Sequence, residues 1–217
     1  YWYRDRLSDK EWQEHYGDKT ITINQNGNVI DDSLLSDDEM ENVKVNIIGI
    51  LQSDAIRKLY EDEDISNNSD LIYDVVDILG SSGLICFADD TNMYNYQLFQ
   101  SFYRNYTDGG ERDYICVYRV NRDASVTEMT FVYDDSRIQM IFNTAKFENH
   151  DWKFIATGIR DLKDMKLTEK GYFIYTYSNI IAHGGLKEYF RVSPLTDECR
   201  KLTRKYVYGL SYVNYNM

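Results

Sequence analysis

"DYICVYRVNRDASVTEMTFVYDDSRIQMIFNTAKFENHDWKFIATGIRDLKDMKLTEKGYFIYTYS", Asp113–Ser178, is the stretch that decides the fold. Segments rich in β-branched and aromatic residues alternate with "NRDAS", "DDSR", "ENHD" and "TEKG", clusters of the residues that make tight reversals. The first kind fits a pleated, half-buried surface and the second supplies hairpin turns. The regular interval between turns predicts a meander in which each strand pairs with the one before it. "LKEYFRV", Leu186–Val192, adds a strand after Gly184-Gly185. Residues 113–193 are therefore expected to form one antiparallel sheet of about five or six strands.

Upstream, "DDTNMYNYQLFQSFYRNYTDGG" places Tyr96, Phe99, Phe102, Tyr103 and Tyr106 along one helical face ahead of a glycine stop. An aromatic stripe at this spacing is core, so the sheet is expected to pack on a helix near residues 91–107. "LICFA", Leu84–Ala88, reads as a short apolar strand or buried segment. Further back, Ser36 with Glu39 forms a capping box ahead of a helical stripe of Val43, Ile47, Ile50, Leu51 and Ile56, with a bend expected near Gly49. "SDLIYDVVDILG", Ser69–Gly80, is another amphipathic helix between a serine cap and a glycine stop. Ser8 and Glu11 mark a short helix closed by Gly17, and "TITINQNGNVI" turns on Asn26-Gly27 as a hairpin. Past Pro194, "SPLTDECRKLTRKYVYG" reads as a short terminal helix.

The class is thus α+β: an antiparallel β-meander packed against helices, with a mainly helical N-terminal region. Residues 1–83 form that region with its small hairpin and 84–217 the sheet-bearing domain, or the two make one continuous domain.

Composition narrows function by exclusion. Asp and Glu outnumber Lys and Arg by 36 to 24, a net charge of −12 that repels phosphate backbones and anionic lipid, so nucleic acid is not an expected partner. No run of apolar residues is long enough to span a bilayer. Cys86, Cys116 and Cys199 are widely spaced, without a CxxC pair, and imply neither a zinc site nor a disulfide framework. The acidic run after Asp62 has Asn67 where a calcium loop needs glycine and Tyr73 where it needs glutamate. "IIAHGGLKEYF", with His183 before a glycine pair, resembles the oxyanion loop of lipase-type hydrolases, but the matching nucleophile elbow is missing: "GSSGL" at Gly80 has its second glycine one residue too early. The Gly pair is ordinary hairpin chemistry instead. Asp134-Asp135 and His150-Asp151 fall at hairpin tips, which face solvent rather than a cleft. No catalytic residue, metal or cofactor is expected.

The succession "FQSFYRN", "YICVYRVNRDASVTEMTFVYDDSRIQMIF", "DLKDMKLTEKGYFIYTYS" and "FRVSPLTDECRKLTRKYV" resembles an uncharacterised family of exported, often lipid-anchored proteins of Gram-positive, clostridial-type bacteria. The likeness runs from about Asn92 to Val207, and "LTEKGYFIY" and "VSPLTDECRKL" are its most specific elements. It implies an extracytoplasmic location, secreted or lipid-anchored, with a leader or anchor upstream of Tyr1, and more chain after the terminal helix. It implies no activity.

Three functions from different classes remain open: a non-catalytic extracytoplasmic domain that binds a glycan or protein at the cell surface, an enzyme acting on glycans through two carboxylates in a groove, and a structural spacer. "GYFIYTYS" carries large groups on both alternating faces, Tyr172 and Ile174 on one, Phe173, Tyr175 and Tyr177 on the other. Where the rest of the chain leaves them uncovered, Tyr175 and Tyr177, with Trp152 and Tyr189 on neighbouring strands, are the candidate surface for a stacked sugar or an apolar partner.

Overall fold

The structure, a computed structural model, describes residues 33–62, 69–88, 92–169, 171–177 and 187–192. The expected N-terminal helix and hairpin, the acidic run after Asp62, the His183 turn and the terminal helix lie outside the described residues. Within them the chain forms four helices, α1 (Asp37–Leu51), α2 (Asp54–Asp62), α3 (Ser69–Ser81) and α4 (Tyr96–Thr107). Seven strands follow the order of the sequence: β1 (Cys86–Ala88), β2 (Asp113–Val120), β3 (Val126–Tyr133), β4 (Ile138–Glu148), β5 (Asp151–Leu167), β6 (Tyr172–Tyr177) and β7 (Lys187–Arg191).

The expected meander is present as β2 to β7, each strand antiparallel to its predecessor. The sheet as a whole departs from the expectation in being mixed and seven-stranded, because β1 joins its edge parallel to β2. Parallel neighbours need a long crossover, and the chain between Ala88 and Asp113 supplies one that carries α4. The turns use the chemistry the sequence announced. Asn149 and His150 both take positive φ (55° and 64°) between β4 and β5. Asp134 Oδ1 accepts from the Ser136 and Arg137 amides, each at 2.8 Å, and closes the β3–β4 turn.

The capping box at Ser36 forms in both directions: the Ser36 hydroxyl accepts from the Glu39 amide and the Glu39 carboxylate from the Ser36 amide. Past it, α1 stays helical through Gly49 and breaks only at Gln52–Ser53. Helix α3 likewise runs past Gly80, whose missing side chain is needed elsewhere: a Cβ there would stand 2.2 Å from the Tyr94 ring. Gly83, at φ 90°, makes the reversal instead.

Side chains alternate between two cores. On one face, Phe99 and Phe102 of α4 pack with Phe87, Val117, Met129, Phe131, Phe173, Tyr175 and Phe190. On the other, Ile47 and Leu51 of α1, Ile56 of α2 and Val75, Val76 and Leu79 of α3 pack with Cys86, Tyr118, Val120, Val126, Ala145 and Trp152. The sheet curls around α4, so the single ring of Phe99 meets Phe131 on β3, Phe173 on β6 and Phe190 on β7, with centroids at 6.2, 4.7 and 5.4 Å. Truncating Phe99 to Ala should cost about 3 to 5 kcal/mol in a urea titration, whereas Leu98→Ala one residue away should cost under about 1. The contrast follows from exposure, 0% for Phe99 and 55% for Leu98. A loss under about 1 kcal/mol at Phe99 would place α4 off the sheet.

Candidate functional site

The candidate residues fall into three places. Tyr175 and Tyr177 lie side by side on the α4 face, ring centroids 5.7 Å apart and both buried. The Tyr175 hydroxyl donates to Glu188 Oε2 at 2.7 Å, and the Arg160 guanidinium lies over the rings of Tyr177 (5.3 Å) and Phe142 (5.5 Å). Burial first, and the Glu188 carboxylate second, raise both phenols above their ordinary range, so they remain neutral donors. Trp152 is on the opposite face of the sheet, near the tip of the β4–β5 hairpin, where it meets Tyr60 at 4.6 Å and Phe147 at 5.5 Å and is itself buried. Tyr189 alone of the four is exposed, at 37%.

Tyr189 belongs to a different constellation, on the side of β5–β7 turned away from α4. The register sets Lys166 opposite Ile174, Ile174 opposite Tyr189, and Tyr172 opposite Arg191. Tyr172 and Tyr189 meet edge to face at 6.3 Å, and Arg191 lies 5.4 Å over the Tyr172 ring. An exposed lysine and a half-buried arginine thus flank an aromatic pair. Rings of this kind stack on the apolar face of a sugar, and a guanidinium can take a carboxylate or phosphate through two parallel bonds. The sequence sets Tyr172 on this face with Ile174, but does not make it, Lys166 or Arg191 a candidate for the surface. The signal was present in the alternation, since Tyr172 is out of phase with Phe173 and Tyr175, and Arg191 with Phe190.

A second cluster is polar and buried. Glu128 on β3 is 0% exposed; its carboxylate accepts from Asn143 Nδ2 at 2.8 Å and from the Thr130 hydroxyl. Cys116 Sγ lies 3.3 Å from that hydroxyl. Burial pushes the Glu128 carboxyl up to about 7, outweighing the bonds that favour its charged form. Burial, reinforced by Glu128, pushes the Cys116 thiol up to about 12, and burial does the same for Cys86. Neither thiol is a nucleophile at neutral pH. At the β3–β4 tip, the amide bonds from Ser136 and Arg137 hold the Asp134 carboxyl below its usual range, which makes it a turn-former. Among the described residues no group of three or more His, Cys, Asp and Glu is placed to hold a metal ion, and no helix is long and apolar enough to cross a membrane.

The sequence model of a family of unknown function, DUF6070, matches residues 38–217, and the chain therefore belongs to that family. No curated protein and no solved structure matches the chain.

The geometry separates packing tyrosines from surface ones. Tyr175→Ala and Tyr177→Ala should each lower stability by about 3 to 5 kcal/mol, and Tyr189→Ala by under about 1, by urea titration at neutral pH. Equal, small losses at all three positions would show that the α4 face is open to solvent at β6.

Proposed function

We propose that this member of the DUF6070 family is a non-catalytic binding module working outside the cytoplasmic membrane, secreted or lipid-anchored, in a Gram-positive bacterium. The location rests on the likeness carried by "LTEKGYFIY" and "VSPLTDECRKL". The binding role rests on one observation: Tyr172 and Tyr189 stand together with Arg191 over the first ring, and Lys166 lies across Ile174 from Tyr189, on the side of the sheet away from α4. In a chain of net charge −12, two cations set around an aromatic pair favour a ligand that combines an apolar face with negative charge. An acidic glycan at the cell surface has both properties: a pyranose ring stacks on Tyr189 while its carboxylate reaches Arg191 or Lys166.

A screen of acidic glycans, neutral glycans and peptides against the purified chain tests the reading. An acidic glycan should bind, Tyr189→Ala should weaken it at least about tenfold, and Arg191→Gln should erase the preference for acidic over neutral sugars. A ligand whose affinity survives Tyr172→Ala, Tyr189→Ala and Arg191→Gln in folded variants would remove this surface from the account.

A further inference from the structure

Glu128 occupies a position that packing alone would give to an apolar residue. On the sheet face covered by α1 to α3, the register lines up Tyr118, Glu128, Asn143 and Thr157 across β2 to β5. On one side of this row, Val132, Ile141 and Ile159 pack with Leu35 and with Val43 of α1. On the other, Val126, Ala145 and Val120 pack with Ile47 and Leu51 of the same helix. Helix α1 therefore bridges two apolar clusters with a fully buried carboxyl between them.

The hydrogen bonds that reach this carboxyl come from the sheet, from Asn143 of β4 and Thr130 of β3, with Cys116 of β2 behind the latter. The titratable and charged groups on the surrounding elements are Cys116 and Tyr118 on β2, Asp161 on β5 and Lys44 on α1. Cys116 and Tyr118 are held protonated by burial, Asp161 accepts from Gln139 Nε2 at 3.0 Å, and Lys44 is half-buried one residue beyond Val43. α1 contributes Val43, Ile47 and Leu51 to the interface. A carboxylate formed here must gain water, and strands β2 to β5 are locked to each other by backbone ladders. The element held by side-chain packing is α1.

We propose that Glu128 is a proton-controlled latch for α1: the neutral carboxyl lets the helix lie flat on the sheet, and loss of the proton loosens the helix from that face. The apolar strip of Val132, Ile141 and Ile159 is uncovered as it does so. With α1 lifted, Glu128 is hydrated and returns to its ordinary value of 4.5, whereas under the helix burial raises it to about 7. The closed state therefore holds the proton more tightly. The ratio of open to closed should rise about tenfold per pH unit between the two values and level off above the higher one. In the same window global stability falls as pH rises, because the unfolded chain releases this proton first.

Amide hydrogen exchange of the whole chain from pH 5 to 8.5, corrected for the intrinsic rate at each pH, reads the latch directly. Protection across α1 should fall about tenfold per unit from pH 5 to 7 and then flatten, and at every pH it should stay below that of α4 on the other face, because α1 opens without the rest of the chain. Glu128→Gln keeps an acceptor for Asn143, turns its amide N–H toward the Thr130 oxygen in place of accepting from that hydroxyl, and should hold α1 at constant protection throughout. Should that variant fail to fold, the carboxyl carbon of Glu128 in the wild-type chain, followed by NMR, should titrate near 7 together with the α1 amides. Loss of α1 protection in Glu128→Gln equal to that of the wild type, α1 protection equal to that of α4 at every pH, or a Glu128 midpoint below about 5 would each overturn the proposal.

Discussion

The Phe99 ring is the contact on which the rest of the fold depends. It sits in the first turn of α4 and touches rings on β3, β6 and β7, a span of strands that a flat sheet would hold far apart. One helix can meet all three only if the sheet curls, and a curled sheet with a concave aromatic face is stable only if something fills it. The two requirements are satisfied together. They also account for β1: once α4 lies in the concavity between Ala88 and Asp113, the strand before it and the strand after it run the same way and pair in parallel.

The two faces of the sheet carry different chemistry and so different consequences. The α4 face consumes Tyr175, Tyr177, Phe131, Phe173 and Phe190 as packing material, joined by tilted and edge-to-face contacts that set side-chain positions more narrowly than aliphatic packing does. The face under α1 to α3 is mainly aliphatic but interrupted by Glu128, Thr130, Asn143 and Gln139, all buried. Gln139 is a neutral member of that series, bonded to the Leu34 amide at 2.7 Å and to Asp161, and it ties the segment before α1 to β4. Arg112 adds a second tie through the Leu34 carbonyl and Glu39. Helix α1 is thus anchored at its start by hydrogen bonds and along its length by packing over a titratable group. A latch of this kind requires that arrangement.

Local rules made much of this legible. The capping box at Ser36, the Asn149-His150 turn, the Asp134 turn and the apolar alternation through β2 to β7 are each set by residues within a few positions of one another, and periodicity reads such features. Long-range features were not legible. β1 is three residues long and leaves no period to count. The register shifts between Leu162 and Asp164 and at the Thr144/Ala145 pairing carry no residue signature, yet they decide which face the later residues of β5 occupy. The sequence sets Trp152 on a strand next to the β6 tyrosines, and β5 does pair with β6, but the sheet places this ring on the other face, against Tyr60. Glu128 in "VTEMTFVY" has the phase of a solvent-facing residue on a one-sided strand, and only the helices packed across both faces make it buried. The surface pair of Tyr172 and Tyr189 needed β6–β7 register, which the sequence between them does not specify.

Contacts between ring protons test the central claim most directly, since they report distance and not stability. In a sample with only phenylalanine rings labelled, the Phe99 ring should show nuclear Overhauser contacts to Phe173 of β6 and Phe190 of β7, whose centroids lie 4.7 and 5.4 Å away, and a weaker one to Phe131 of β3 at 6.2 Å. Simultaneous contacts to three strands place α4 inside a curled sheet. A Phe99 ring whose contacts stop at Phe102 on its own helix would contradict the fold and everything argued from it.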